Sequence, residues 1–197
     1  MKTIKESFAN EIIIKNSRFI TLLFKIYDDT DVSLIFDKVK EEYPKATHYC
    51  YAYITENKKK ASDDGEPGGT AGMPMLNVLE KEGFINVLAI TVRYFGGIKL
   101  GTGGLVRAYS KSVRDAILGC NEVEVVKGKK EKITISYDMQ KNLDYTLRDY
   151  NIVNKIYDEK VTYTVLLPND KLDLINDYDY VVIADEFIEK NRWIILK

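Results

Sequence analysis

Histidine occurs once in the 197 residues, tryptophan once, cysteine twice and proline four times. Each scarcity excludes something. Two cysteines, Cys50 and Cys120, cannot build the disulfide framework of a small secreted domain, so reduced thiols are expected. A lone histidine, His48, makes any zinc site depend on carboxylates and leaves any catalytic triad without an evident third member. No run approaches the roughly 18 apolar residues of a membrane-spanning helix. The opening MKTIKESFAN carries no apolar core of a secretion signal. Net charge is also missing: 29 basic against 30 acidic side chains gives -1, whereas a non-specific nucleic-acid coat is far more basic. These absences predict a soluble, cytoplasmic protein with no membrane partner, whose nucleic-acid contacts, if any, come from a local patch.

What is present suffices for a core. Hydrophobic residues make up 45% and charged residues 30%, a globular balance. The length admits one domain or two small ones. Up to residue 120 there are 17 basic and 15 acidic side chains, and 12 and 15 after it. The difference is small but has the sign that an anion-binding N-terminal half requires.

The chain order reads as α+β. Residues 12–26 predict two strands broken at Asn16-Ser17, and DVSLIFDKVKEEYP a helix stopped by Pro44. THYCYAYIT alternates and predicts a strand, and ENKKKASDDGEPGGTAG a long polar loop. MPMLNVLEKEG then predicts a short helix with Pro74 near its start, and INVLAITVRYF a strand buried on both faces. GGLVRAYSKSVRDAIL places Leu105, Tyr109, Val113 and Ile117 on one helical stripe and Arg107, Lys111 and Arg114 on another. The charged segment 121–130 is the candidate linker between domains at 1–122 and 131–197. Beyond it the order is strand, helix (with Asp138 as its cap), strand, strand, helix, and a last strand or hairpin through WIILK. That order is a ferredoxin-like signature.

Ten of the twelve glycines fall between Gly65 and Gly104. In RYFGGIKLGTGGL, Gly96, Gly97, Gly101, Gly103 and Gly104 stand between a buried strand and a helix start. Helix N-termini offer unpaired N–H groups and about half a positive charge, suited to phosphate or carboxylate. A small anion is therefore a candidate ligand here, with the basic face of Arg107, Lys111 and Arg114 extending the site. The spacing matches neither the P-loop nor the dinucleotide fingerprint, and a tight strand-to-helix turn is the structural alternative. In SDDGEPGGTAG, Asp63, Asp64 and Glu66 are possible metal ligands or acid–base carboxylates, but Asp-Gly and Glu-Pro are also turn chemistry, and EF-hand spacing fails. His48 and Cys50 share a strand face, which fits a nucleophile pair oriented by Asp64, two of a zinc site's ligands, or a buried thiol beside a hydrogen-bonded imidazole. Arg93 either meets a ligand at the strand end or holds Asp64 or Glu66 across the loop. Tyr49, Tyr51 and Tyr53 form either a base-stacking platform or one packed sheet face.

Taken in order, SRF, HYCYAY, DDGEPGGTAGMPML and VRYFGGIKLGTGGLVRAY resemble the YigZ/IMPACT family over about residues 1–120. The resemblance implies an N-terminal domain with the ribosomal-protein-like left-handed β-α-β fold and a C-terminal ferredoxin-like domain similar to the last domain of elongation factor G. It places the family's signature on His48, Cys50, Asp64, Gly65, Glu66, Thr70, Arg93, Tyr94, Gly96, Gly97, Gly101, Gly103, Gly104 and Arg107, among others, with Gly68 where serine is more usual. Eukaryotic members regulate translation by binding the activator of the amino-acid-starvation kinase. No RWD domain precedes the signature in these residues, so that partnership is not expected to carry over. The resemblance implies a non-enzymatic, translation-associated binding protein that contacts RNA, the ribosome or a translation-related protein. No catalytic residue, metal or cofactor is assigned. The alternative is an enzyme acting on a phosphorylated or carboxylated small molecule through the glycine loop and Asp64, Glu66 or Cys50.

Overall fold

Lys15 and Asn16 both take positive φ, 47° and 64°, as a two-residue type I′ turn demands. In the computed structural model, which describes residues 1–190, this turn joins β2 (Phe8–Ile14) to β3 (Ser17–Lys25), with Ile14 opposite Ser17. The hairpin is the edge of an antiparallel sheet ordered β2-β3-β6-β4-β5, with β4 at His48–Ile54, β5 at Lys59–Ser62 and β6 at Val87–Tyr94. β5 lies inside the stretch 56–72 that composition predicts to be all loop. Its four residues pair only with β4, too short a run to show periodicity in the sequence.

Alternation along β3 decides the layers. Ile20 and Leu22 face helix α1 (Asp31–Glu42), where Val39 closes a cluster with Tyr53, Leu88 and Ile90. Phe19 and Thr21 face the other way: the Phe19 ring lies 5.2 Å from that of Tyr109, and Thr21 Oγ1 is 2.6 Å from Ser112 Oγ. Those partners belong to α3 (Thr102–Gly119), which packs beside α2 (Gly72–Lys81). β6 is sandwiched between the layers and buried from Val87 to Arg93, which explains its unbroken apolar run. The short β1 (Lys2–Ile4) is held at the α2–β6 connection, where Lys2 N–H donates to Gly83 O. Tyr49 and Tyr51 pack edge-on against Phe36 of α1 at 6.2 and 5.5 Å, and Tyr53 is buried. The tyrosine row is therefore a half-buried sheet face packed against α1.

Chain contacts divide the protein into Met1–Glu122 and Val123–Lys197. Residues expected to form a linker are instead strand: β7 runs Glu122–Ile135, with Val123, Val125, Ile133 and Ile135 buried. The alternation of NEVEVV is the signal that the charge of the segment masks. The second unit continues with a 3-10 turn (Tyr137–Met139), α4 (Gln140–Thr146), β8 (Asn151–Tyr157), β9 (Val161–Pro168), a 3-10 segment (Asn169–Ile175) and β10 (Tyr180–Glu189). The order β10-β7-β9-β8, antiparallel throughout, is the ferredoxin-like arrangement. Two details differ from expectation. Asp138 sits inside the first turn after Ser136 without capping it, and the second helix is 3-10. The expected final stretch WIILK lies outside the described residues. Ile133, Leu143, Tyr163 and Val165 centre this unit's core.

Candidate anion-binding cleft

Asp63 organises the first glycine segment. Its carboxylate accepts the N–H groups of Gly69 at 2.8 Å, Ala71 at 2.9 Å and Gly72 at 2.8 Å, fastening the loop to the start of α2. Burial pushes this carboxyl up, but the three donors outweigh it and hold it below its ordinary value. Asp64 faces β4: its Oδ2 accepts Tyr49 N–H at 2.6 Å, and its carbonyl lies 2.8 Å from His48 Nδ1. Gly65 takes positive φ, and a Cβ there would lie 3.6 Å from that ring. Thr70 donates to Pro67 O at 2.6 Å and so serves the loop itself.

The loop thereby delivers Glu66 to the end of β6. Its side chain is 3% exposed and accepts from Arg93 Nη1, whose own side chain is 6% exposed. Tyr109 donates to the same oxygen at 2.8 Å, and His48 Nε2 lies 3.8 Å from the other. Arg93 is held between the rings of Phe19 and Phe95, at 5.3 and 5.7 Å, and its buried Nε has no partner. Of the two roles open to Arg93, holding Glu66 is what the geometry shows.

Cys50 lies beneath, donating to Asp63 O at 2.9 Å and to the Tyr109 hydroxyl at 3.3 Å. Burial pushes its thiol up to about 12, with Glu66, Asp64 and Asp63 adding to the shift. Burial likewise lifts the Tyr109 phenol far above its ordinary value. Neither group is ionised near neutrality, and His48 is committed to Asp64 and Glu66. The pairing of His48 with Cys50 as nucleophile and base is therefore corrected: the same strand face gives each side chain a different partner. No group of three or more metal-ligating side chains occurs among the described residues.

The second glycine segment folds over this network. Gly96 N–H donates to Ser17 Oγ at 3.1 Å, and a Cβ there would meet the Asn16 backbone at 2.0 Å. Only glycine lets this loop reach the hairpin turn. Gly101 caps α3 at φ 72° and ψ 164°, a region open almost solely to glycine. No side chain caps the helix, so the N–H groups of Thr102, Gly103 and Gly104 remain at its start. Between this helix end and the Glu66–Arg93 pair lies a cleft of about 400 Å³, lined also by Thr47, His48, Lys99 and Phe95.

Among the expected site residues, His48, Glu66, Arg93 and Gly101 line the cleft directly. Gly103 and Gly104 belong to the first turn of α3, and Gly97 turns the loop at φ 82°. Arg107 is exposed on that helix without an ion-pair partner among the described residues, whereas Lys111 pairs with Asp115 at 2.6 Å. Tyr94 is not brought in: it points to the α1 side and donates to Pro44 O at 3.2 Å. Phe95 belongs to the family signature, whereas Thr47 and Lys99 were missed by sequence reasoning. Lys99 lies inside the quoted loop, and its charge was the available signal.

Comparison with known proteins agrees with this architecture. The Impact N-terminal domain matches residues 15–117. The IMPACT family member YvyE of Bacillus subtilis is 44% identical over 147 residues, 73% of this chain, which spans 64% of that relative's length. The IMPACT family member YigZ of Escherichia coli is 36% identical over 81% of each chain. A solved structure described as a hypothetical protein superposes with a TM-score of 0.66 at 31% identity, covering 94% of this chain and 98% of that one. The chain belongs to the YigZ/IMPACT family.

Proposed function

We propose that this is a non-enzymatic, translation-associated binding protein that takes an RNA phosphate into the cleft before α3. One observation carries the reading: the uncapped N-terminus of an 18-residue helix opens on a cleft holding Lys99, and the acid there, Glu66, is already neutralised by Arg93. The cleft is thus biased toward anions. Arg107, one turn further along α3, continues the cationic surface. A protonated Cys50 and Tyr109 favour binding over nucleophilic chemistry. Family membership favours translation as the setting, through the role implied for eukaryotic members.

The test is the salt dependence of binding to a single-stranded RNA oligonucleotide and to ribosomal RNA fragments. The logarithm of the binding constant should fall linearly with the logarithm of salt concentration. Lys99→Ala and Arg107→Ala should each weaken binding and reduce that slope by about 1 without changing the unfolding curve. Binding that ignores salt, or no binding at low salt, refutes the reading.

A further inference from the structure

The face of unit 1 made by α2 and α3 carries a second groove, separate from the cleft. α2 leads into β6 and α3 leaves it, and the two helices pack against each other. Facing stripes at i, i+4 and i+8 line the groove: Met73, Asn77 and Lys81 from α2, and Val106, Ser110 and Arg114 from α3. Each stripe reads apolar, neutral polar, cationic. The groove holds about 350 Å³, and its apolar floor is open, with Met73 49% and Val106 37% exposed.

Charge decides what fits there. Among the described residues no acid lines the groove. Of the acids nearest in sequence, Glu80 pairs with Lys59 at 2.7 Å and Asp115 with Lys111 at 2.6 Å, while Glu82, next to Lys81, is exposed but does not line the groove. Lys81 and Arg114 have no ion-pair partner among the described residues, so two cations face the same open groove unpaired. Like charges on neighbouring helices repel, and the protein gains nothing from them internally. They become favourable when an anionic surface meets them. The apolar ends make a purely ionic partner such as a phosphate backbone a poor match. Helix-in-groove recognition by an amphipathic segment uses both features.

We propose that the α2–α3 groove docks an acidic amphipathic helical segment of a partner protein. An apolar side chain of that segment covers Met73 and Val106, and carboxylates one to two turns away meet Lys81 and Arg114. This surface is independent of the cleft, so either can stand without the other.

The probe is a fluorescent amphipathic helical peptide with leucines at i, i+3, i+4 and i+7 and glutamates on the flanks. Two companions replace every glutamate by lysine or every leucine by serine. The acidic peptide should bind saturably, shifting amide resonances of α2 and α3, while both companions bind at least about tenfold more weakly. Lys81→Glu with Arg114→Glu should reverse the preference between the acidic and basic peptides. Both side chains are at the surface, and an unchanged circular dichroism spectrum checks that the variant folds. Met73→Ser should weaken the acidic peptide while leaving its salt dependence alone. Equal binding of acidic and basic peptides, or none at millimolar peptide, overturns the proposal. So does loss of single-stranded RNA binding in the Glu double variant with the peptide unaffected, which would make the groove part of a nucleic-acid surface.

Discussion

Replacing Glu66 by leucine should destabilise unit 1 far more than the loss of one surface charge would. The carboxylate is 3% exposed and is the acceptor for Arg93, itself 6% exposed, and for Tyr109 at 2.8 Å. Leucine retains much of the volume, so the main effect is electrostatic: a guanidinium remains buried with no counter-charge. Removing one partner of a buried pair costs about 3–5 kcal/mol, whereas replacing both by apolar groups is often near neutral. Glu66→Leu should therefore cost about 3–5 kcal/mol and Arg93→Met a similar amount. The double variant should cost clearly less than their sum, leaving a coupling above about 2 kcal/mol, where contacting residues typically couple by about 0.5–3 kcal/mol. With a urea dependence of about 2 kcal/mol per molar, the midpoint for Glu66→Leu should move down by about 1.5–2.5 M. Because the chain forms two units, hydrogen exchange of β4 and β6 amides should be read alongside circular dichroism, so that the unfolding measured is that of unit 1. Refutation would be a cost below about 1 kcal/mol for Glu66→Leu, or a double variant as costly as the two singles combined. Either would mean the pair is solvated through the cleft.

Other expectations follow from single groups. Glu131 on β7 is buried, neither carboxylate oxygen has a partner among the described residues, and burial raises its carboxyl above the ordinary 4.5. The folded chain then keeps a proton that the unfolded chain releases, so stability is full below the unfolded value and falls as pH rises through the folded one. Glu131→Leu should raise the stability of unit 2 by about 1–3 kcal/mol at pH 7 and by little in acid, measured as unfolding midpoints against pH; a gain independent of pH contradicts this. With its thiol pushed up to about 12, Cys50 should resist iodoacetamide at pH 8 while the partly exposed Cys120 reacts first, both becoming reactive in urea. Equal rates by mass spectrometry would show that β4 opens readily. Gly96→Ala should cost about 1–3 kcal/mol, because its Cβ would sit 2.0 Å from Asn16 backbone, while Gly68→Ala, with open space around it, should be neutral in the same melt. Equal effects would mean the loop yields.

By itself the sequence determined the two-unit α+β organisation and most of the element order, with β1, β5 and β7 escaping it, and it marked where a candidate site was to be sought. The period-3.6 pattern survives in LVRAYSKSV because α3 buries one face, and the run VLAITV is nearly all apolar because β6 buries both. The two glycine segments marked the site because positive φ and close backbone approach admit few other residues. Only the tertiary structure decided which chemistry those segments hold. Asp63, Asp64 and Glu66 look alike in the sequence. Folding makes one a loop clasp, one a β4 anchor and one the counter-ion of Arg93, because each role depends on which distant N–H or cation lies within about 3 Å. The same holds for Cys50, whose reactivity is set by burial under Tyr109, 59 positions away. It holds too for β7, whose charged residues resemble a linker until Ile133 and Ile135 meet a core supplied by residues 143–175. Local propensity acts through neighbours in the chain, while a buried charge takes its partner from whatever the fold brings near.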